Sequence, residues 1–329
     1  MSIAPESIES AYRSCTMCPH NCRINRFERV GVCGETDTLR IAWAGLHFGE
    51  EPIITGTGGS GTIFITGCNL KCAFCQNYQI SQEGIGRMVD TDEFIEICLR
   101  LQKAGAENIN IVTGTHQALR IAQAIQKAKH AGLHIPIVWN TSSYESTETI
   151  KQLSTVVDIW LADIKTLDAH IAQESFKVAD YSGIAMQAIE TMCAQSPLKY
   201  TEQKLQSPPV LTSGVIVRYL ALPGRLDDSY NVLSWFSKKL KTKAILSLMT
   251  QYTPVEKNKK TACIACFENR LLKESEDKML RQFLVELNID DGFYQELVPD
   301  YSWLPDFTQV KTFSAQLSKP IWHYINGFV

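Results

Sequence analysis

An α/β fold organised on one parallel sheet follows from three features of this 329-residue chain. Six short segments rich in Ile and Val alternate with segments whose apolar residues recur at helical spacing, the pattern of strands joined by crossover helices. The Ile and Val content suits strands buried on both faces. The length fits one barrel-type domain with additions at either end.

Along the chain, "GTIFIT" (61–66) reads as the first buried strand. "TDEFIEICLRLQKAG" (91–105) follows as an amphipathic helix, with Thr91 as N-cap and Gly105 as its stop. Then come "NINIVT" (strand), "HQALRIAQAIQKAKHAG" (helix), "IPIVWN" (strand) and "STETIKQLS" (helix). "VVDIWLADIK" is the fourth strand, followed by helix to about Gln195. "GVIVRYLAL" is a strand, "DSYNVLSWFSKKL" a helix and "AILSLMT" the sixth strand. The polar, Pro-containing stretch 196–214 reads as a surface excursion. Three units result: a Cys-rich N-terminal extension (1–60), a core (61–254), and a C-terminal extension (255–329) with a helical pattern around 273–288.

Hydrophobic residues at 45% and charged residues at 20% describe an ordinary globular protein. A net charge of −3 and a pI near 6.2 leave no basic stripe for nucleic acid. No apolar run is long enough to span a bilayer, and the first residues lack the pattern of a signal peptide. The expectation is a cytoplasmic protein.

In a reducing compartment, clustered cysteines point to metal or iron–sulfur ligation rather than disulfides. Seven of the eleven cysteines fall in two clusters: Cys15, Cys18, Cys22 and Cys33, then Cys68, Cys72 and Cys75. Cys98 and Cys193 lie in apolar helical patterns as buried thiols, and Cys263 and Cys266 form a C-x2-C with no partnering pair nearby. The first cluster offers four thiolates, enough to close a zinc site or a [4Fe–4S] cluster completely. Spacing alone does not separate the two. The second offers three, at the end of the first strand, where barrel folds carry their active sites. Three thiolates leave one iron of a [4Fe–4S] cluster open to a substrate or cofactor. Phe74 adds an apolar wall beside Cys75.

"CNLKCAFC" resembles the C-x3-C-x-aromatic-C signature of the radical S-adenosylmethionine superfamily. The stretches "NINIVTGTH", "VWNTSSYE", "VDIWLADIK", "VRYLALPG" and "LMTQYTP" extend the similarity to a subfamily of pyruvate formate-lyase activating-like proteins. The resemblance implies a partial (β/α)6 barrel and a [4Fe–4S] cluster on Cys68, Cys72 and Cys75. S-adenosyl-L-methionine would chelate the open iron and be cleaved reductively to a 5′-deoxyadenosyl radical, which abstracts hydrogen from a substrate. It also implies a low-potential electron donor such as flavodoxin or ferredoxin, and an activase whose substrate is a protein. A peptide or small-molecule substrate is the alternative, and a zinc-binding module the alternative of a different class. Two positions depart from the subfamily pattern: Gly114 where it has Pro, and Tyr219 where it has His.

Several strand-end residues complete the expected site. Asp163 and Lys165 lie two apart and so share one face of their strand; by resemblance they form the D-x-K pair that holds the methionine end of the cofactor. Arg218 shares a face with Ile216 and Leu220, points inward, and wants a carboxylate or phosphate. Thr113 and Gly114 would line the cofactor with backbone, and Asn140 and Ser142 would contact its ribose or methionine part. His116 reads as a hydrogen-bonding loop residue. Glu50, Glu51 and His47 either border the substrate opening or cap the chain entering the first strand.

Overall fold

The computed structural model describes residues 5–201, 209–255, 264–298, 304–314 and 316–329. Its strands, in chain order, begin with β1 (Arg40–His47), β2 (Ser60–Ile65), β3 (Arg87–Met88) and β4 (Asn108–Val112). β5 (Ile137–Thr141), β6 (Ile159–Asp163), β7 (Lys199–Tyr200) and β8 (Leu211–Leu220) follow. β9 (Ile245–Met249), β10 (Gly292–Tyr294), β11 (Ser318–His323) and β12 (Gly327–Phe328) end the series. The helices begin with α1 (Pro5–Arg13), α2 (Pro52–Thr55), α3 (Tyr78–Ser81), α4 (Thr91–Lys103) and α5 (Ala118–His130). They continue with α6 (Thr147–Leu153), α7 (Ala169–Phe176), α8 (Tyr181–Gln195), α9 (Leu226–Lys239) and α10 (Glu274–Glu286).

The main path of the sheet runs β10-β9-β8-β6-β5-β4-β2-β1-β11-β12. β2, β4, β5, β6, β8 and β9, the six strands expected from the sequence, pair in parallel. β10 adds one more parallel strand, whereas β1 and β11 close the other side antiparallel. The sheet therefore does not stop at residues 61 and 254: both flanking segments contribute strands to it. The continuous apolar run within "RIAWAGLH", buried from Ile41 to Leu46, is the signal for β1, which the neighbouring cysteines obscured.

Local chemistry explains the element ends. The N-cap of α4 is Asp90 rather than Thr91, its carboxylate accepting from Glu93 N at 2.8 Å. The single helix expected before Gln195 is two, because Lys177 ends α7 in the left-handed region (φ +63°). The surface excursion is shorter than expected: β8 starts at Leu211, and β7 pairs with it antiparallel. Residues 202–208 lie outside the described residues.

Both faces of the parallel sheet are buried, as the Ile and Val content requires. Trp139, Trp160, Val217 and Tyr219 face the helices in the largest core. On the inner face, Val138, Ile159, Leu161 and Ile216 pack on Ile54 of α2, which plugs the strand-start end. Phe64 and Val112 pack on Phe307 and Phe313 from the tail. Below β2 the backbone turns so tightly that a Cβ on Gly58 would lie 1.9 Å from the Gly105 carbonyl oxygen. Backbone cannot swing aside as a side chain can. Gly58→Ala should therefore lower stability by about 1–3 kcal/mol, read as an earlier midpoint in urea. Gly183→Ala, exposed on α8 with no atom within 4 Å of the new methyl, should instead raise stability by up to about 1 kcal/mol. A Gly58→Ala midpoint equal to wild type would show that this turn has room to spare.

Candidate functional site

The loop that follows β2 carries Cys68, Cys72 and Cys75. Gly67 begins it at φ +86°, and a Cβ there would meet Glu35 Cγ at 2.4 Å and the Cys33 carbonyl oxygen at 3.1 Å. Only glycine fits that turn. Cys68 Sγ accepts from the amides of Leu70 and Lys71 at 3.3 and 3.4 Å, and Cys75 Sγ lies 3.3 Å from Ser81 Oγ. Burial pushes the Cys75 thiol up to about 11, with Cys68 adding repulsion. Cys72 is raised further by burial, then by Cys75 and Cys68. Three thiols so placed ionise together only beside a strong cation, which fits thiolate ligation of a metal cluster.

Charged groups gather at the neighbouring strand ends. Lys165 Nζ donates to Asp163 Oδ2 at 2.8 Å. Burial opposes the charge on Lys165, but Asp163 and then Cys72 outweigh it and hold the ammonium protonated. Each side chain keeps about a fifth of its surface open (21% and 22%), so the pair lines accessible space. The Lys165 amide donates to Tyr181 Oη at 3.0 Å, and that hydroxyl donates to the Ser142 carbonyl at 2.9 Å. Tyr181 thus ties the β5 and β6 ends together, a role its helical position gave no reason to expect.

Arg218 points inward, as its strand face required. Its partners are Glu50 and Glu51: Nε donates to Glu51 Oε1 at 2.8 Å, and Nη2 donates to both carboxylates. The "GEEP" carboxylates therefore reach up inside the sheet instead of bordering an opening. Arg218 Nη1 donates to no described residue, which leaves it for an incoming carboxylate.

The β4 and β5 ends are strained. Thr113 (φ +62°) and Ser143 (φ +61°) are held in the left-handed region. Thr113 N donates to the Asn140 carbonyl at 2.9 Å. The Asn140 and Ser142 side chains are half-buried and make no hydrogen bond to a described residue. Gly114 has an ordinary φ of −81°; its missing Cβ makes room for Trp139, 2.5 Å from where that atom would sit. Phe74 packs edge-on against Phe176, Tyr252 and Phe267, with centroids 5.6–6.1 Å away. Tyr252 also lines a cavity of about 210 Å³ beyond β9, with Leu271, Leu272 and Leu297. Glu145 went unnoticed in the sequence. Its Oε1 accepts from Thr115 Oγ1, Trp139 Nε1 and Thr141 Oγ1, binding the two strained ends from beneath.

Cys15, Cys18 and Cys33 are buried and Cys22 partly so. They stand next to the β2 loop, where Cys68 N donates to the Cys33 carbonyl at 3.2 Å. Cys98 and Cys193 are buried in α4 and α8. Cys266 Sγ lies 3.6 Å from Ser175 Oγ, and Cys263 lies outside the described residues.

His116 is the loop residue that the sequence suggested. Its Nε2–H donates to the Thr66 carbonyl at 2.7 Å. Burial, with Arg26 adding, lowers its pKa to about 3. The unfolded chain takes up this proton near 6.5 and the folded chain resists until about 3. The unfolded state then binds more protons across that window, so stability is intact above it and falls as pH drops through it. His116→Gln should flatten that slope in denaturation measured from about pH 7 to pH 4. Equal slopes in both chains would show that other groups set the acid lability.

Residues 62–195 match the family described as Radical SAM superfamily. An uncharacterized protein of Methanocaldococcus jannaschii is 27% identical over 299 residues, covering 88% of this chain and 80% of that one. Among solved structures, SuiB of Streptococcus suis bound to precursor peptide SuiA aligns with 70% of this chain and 46% of its own, at 11% identity and a TM-score of 0.48. SuiB bound to S-adenosylmethionine aligns with 70% and 48%, at 12% identity and a TM-score of 0.44. This chain spans about half the length of those structures. The matched span runs from β2, through the cysteine loop, to the end of α8.

Proposed function

We propose that this chain is a radical SAM enzyme of the activase type, abstracting hydrogen from a partner protein. The observation that carries the reading is a set of strand-end groups: the buried Cys68 and Cys72 with half-buried Cys75, the Lys165–Asp163 pair and, level with Asp163, the free Nη1 of Arg218. Cys68, Cys72 and Cys75 would hold a [4Fe–4S] cluster and leave one iron open. When bound, that cluster supplies the single electron that splits S-adenosylmethionine into methionine and a 5′-deoxyadenosyl radical.

The chain's own residues bind and orient the cofactor. Asp163 accepts from its amino group, while Lys165 and Arg218 Nη1 offer donors to its carboxylate. Asn140 and Ser142 have free polar groups for the ribose. Thr113 and Gly114 present backbone, and Phe74 with its aromatic neighbours keeps water from the thiols. In this reading residues 61–254 form the catalytic core. A low-potential flavodoxin or ferredoxin supplies electrons, and the protein works in the cytoplasm without nucleic acid or membrane. Among the described residues no helix is long and apolar enough to cross a bilayer.

Anaerobically reconstituted, dithionite-reduced protein should convert S-adenosylmethionine to 5′-deoxyadenosine, and Cys68→Ala/Cys72→Ala/Cys75→Ala should abolish the product. A triple variant that still forms it refutes the cluster assignment. Asp163→Ala or Lys165→Ala should weaken cofactor binding by about 1.5–3 kcal/mol, roughly ten- to a hundredfold in Kd, with the iron content of the loop intact. Unchanged affinity in titrations would reduce the two to a local ion pair.

A further inference from the structure

Cys15, Cys18, Cys22 and Cys33 take no part in that reaction, yet the fold gathers all four. Cys15 N donates to the Ile24 carbonyl at 3.0 Å and Arg23 N to the Cys15 carbonyl at 2.9 Å, which folds Cys18 and Cys22 into one loop. A turn closed by Gly34 N to the Gly31 carbonyl (2.9 Å) brings Cys33 alongside. A Cβ on Gly31 would lie 3.2 Å from Cys33 Sγ and 3.9 Å from Ile24 Cδ1, which sets Cys33 beside the Cys15–Ile24 pairing.

A buried cation stands beside them. Arg26 is fully buried. Its Nη1 donates to the His116 carbonyl at 2.6 Å and lies 4.0 Å from Cys15 Sγ, and its Nη2 donates to the Thr36 carbonyl. Its guanidinium stacks on Tyr12. Among the described residues no carboxylate lies within ion-pair distance of it; Glu35, which feels its charge, is paired with Arg40 at 3.0 Å. A guanidinium keeps its charge, and a buried charge requires an opposite one. Neutral thiols do not supply it. Metal-bound thiolates do.

Four thiolates suit zinc or a cubane cluster alike. Zinc carries no electrons, whereas this segment is hydrogen-bonded to the loop of Cys68, which needs them on the reading above. We propose that Cys15, Cys18, Cys22 and Cys33 hold a second [4Fe–4S] cluster, with Arg26 as its buried counter-cation, and that it passes single electrons to the site on Cys68, Cys72 and Cys75.

Four thiolates leave no iron open, so one-electron transfer is the chemistry such a centre can do. An external low-potential flavin or iron–sulfur carrier loses one electron and the catalytic site gains one; no bond breaks and no proton moves. Two hydrogen bonds join the sites: Cys68 N to the Cys33 carbonyl, and His20 Nε2 to the Asn69 carbonyl at 2.6 Å. On the outer side, half-exposed Cys22 is followed in sequence by exposed Arg23, Phe27, Glu28, Arg29, Val30 and Val32, an apolar margin with one net positive charge, suited to an acidic carrier.

The inference rests on the cluster reading of Cys68, Cys72 and Cys75, and metal analysis tests the two separately. Reconstituted full-length wild type should carry about eight irons. The Cys68→Ala/Cys72→Ala/Cys75→Ala chain should keep about half. Cys18→Ser/Cys22→Ser should also keep about half, still form 5′-deoxyadenosine with dithionite, and lose most of it with reduced flavodoxin. Zinc in place of iron, or an iron count unchanged by Cys18→Ser/Cys22→Ser, overturns the second cluster. An iron count unchanged by the Ala triple overturns only the proposed function. Should the Ser variant fold poorly, Arg26→Gln decides: it should keep its iron and move the midpoint potential of one cluster to more negative values, with Arg26→Lys restoring it. Coincident redox titrations of wild type and Arg26→Gln would overturn the role of Arg26.

Discussion

Three thiols crowded on one loop, Cys68 and Cys72 buried and Cys75 partly so, repel one another as soon as they ionise, and much of the surrounding structure answers that repulsion. The amides of Leu70 and Lys71 point at Cys68 Sγ. The Lys165 ammonium lowers the cost of charge on both Cys72 and Cys75. Gly67 lets the loop press against Cys33 and Glu35, so it is clamped between the N-terminal segment and the sheet before any ligand arrives. If the loop holds a cluster as proposed, such clamping favours it, because ligands already in place give up little conformational entropy on binding.

The same economy of charge runs through the interior of the sheet. Arg218, Glu50 and Glu51 form a buried group with one carboxylate in excess, and Ser247 adds a hydrogen bond to Glu51. His47 lies 3.8 Å from Glu50, but burial lowers its pKa and favours the neutral ring. Removing Arg218 would strand two carboxylates, a larger loss than the pair's own contribution. The network also joins the strand-start plug to the strand-end site, since Glu51 immediately precedes α2 and Arg218 lies level with Asp163.

What the sequence disclosed followed from local periodicity and spacing. The six parallel strands, the inward face shared by Asp163 and Lys165, and the cysteine loop were all legible because each is written within about ten consecutive residues. What escaped it depends on partners far apart in the chain. Glu50 and Glu51 meet Arg218 across almost the whole core, and nothing near "GEEP" or "VRYL" announces the pairing. β11 and β12 join the sheet through β1, itself hidden in a segment whose cysteines drew the reading elsewhere. Tyr181 and Glu145 act through single atoms on several backbone segments, and such convergence leaves no period in a sequence.

Access to the site follows from what fills the inner face. Ile54 occupies the strand-start end with Val138, Ile159, Leu161 and Ile216. Phe307 and Phe313 cover Phe64 and Val112 on the side of β1. Gln79, in the short helix after the cysteine loop, holds this tail segment at both ends of its amide: Oε1 accepts from Phe307 N and Nε2 donates to Asp306. The tail is thereby fixed to the loop that carries the thiols. With the floor and one flank closed by apolar packing, the open polar groups (Asp163, Lys165, Asn140, Ser142 and Arg218 Nη1) all stand at or near the strand ends. On the proposed reading a cofactor and a substrate would meet there, over the cysteines, where the apolar packing leaves little room for water.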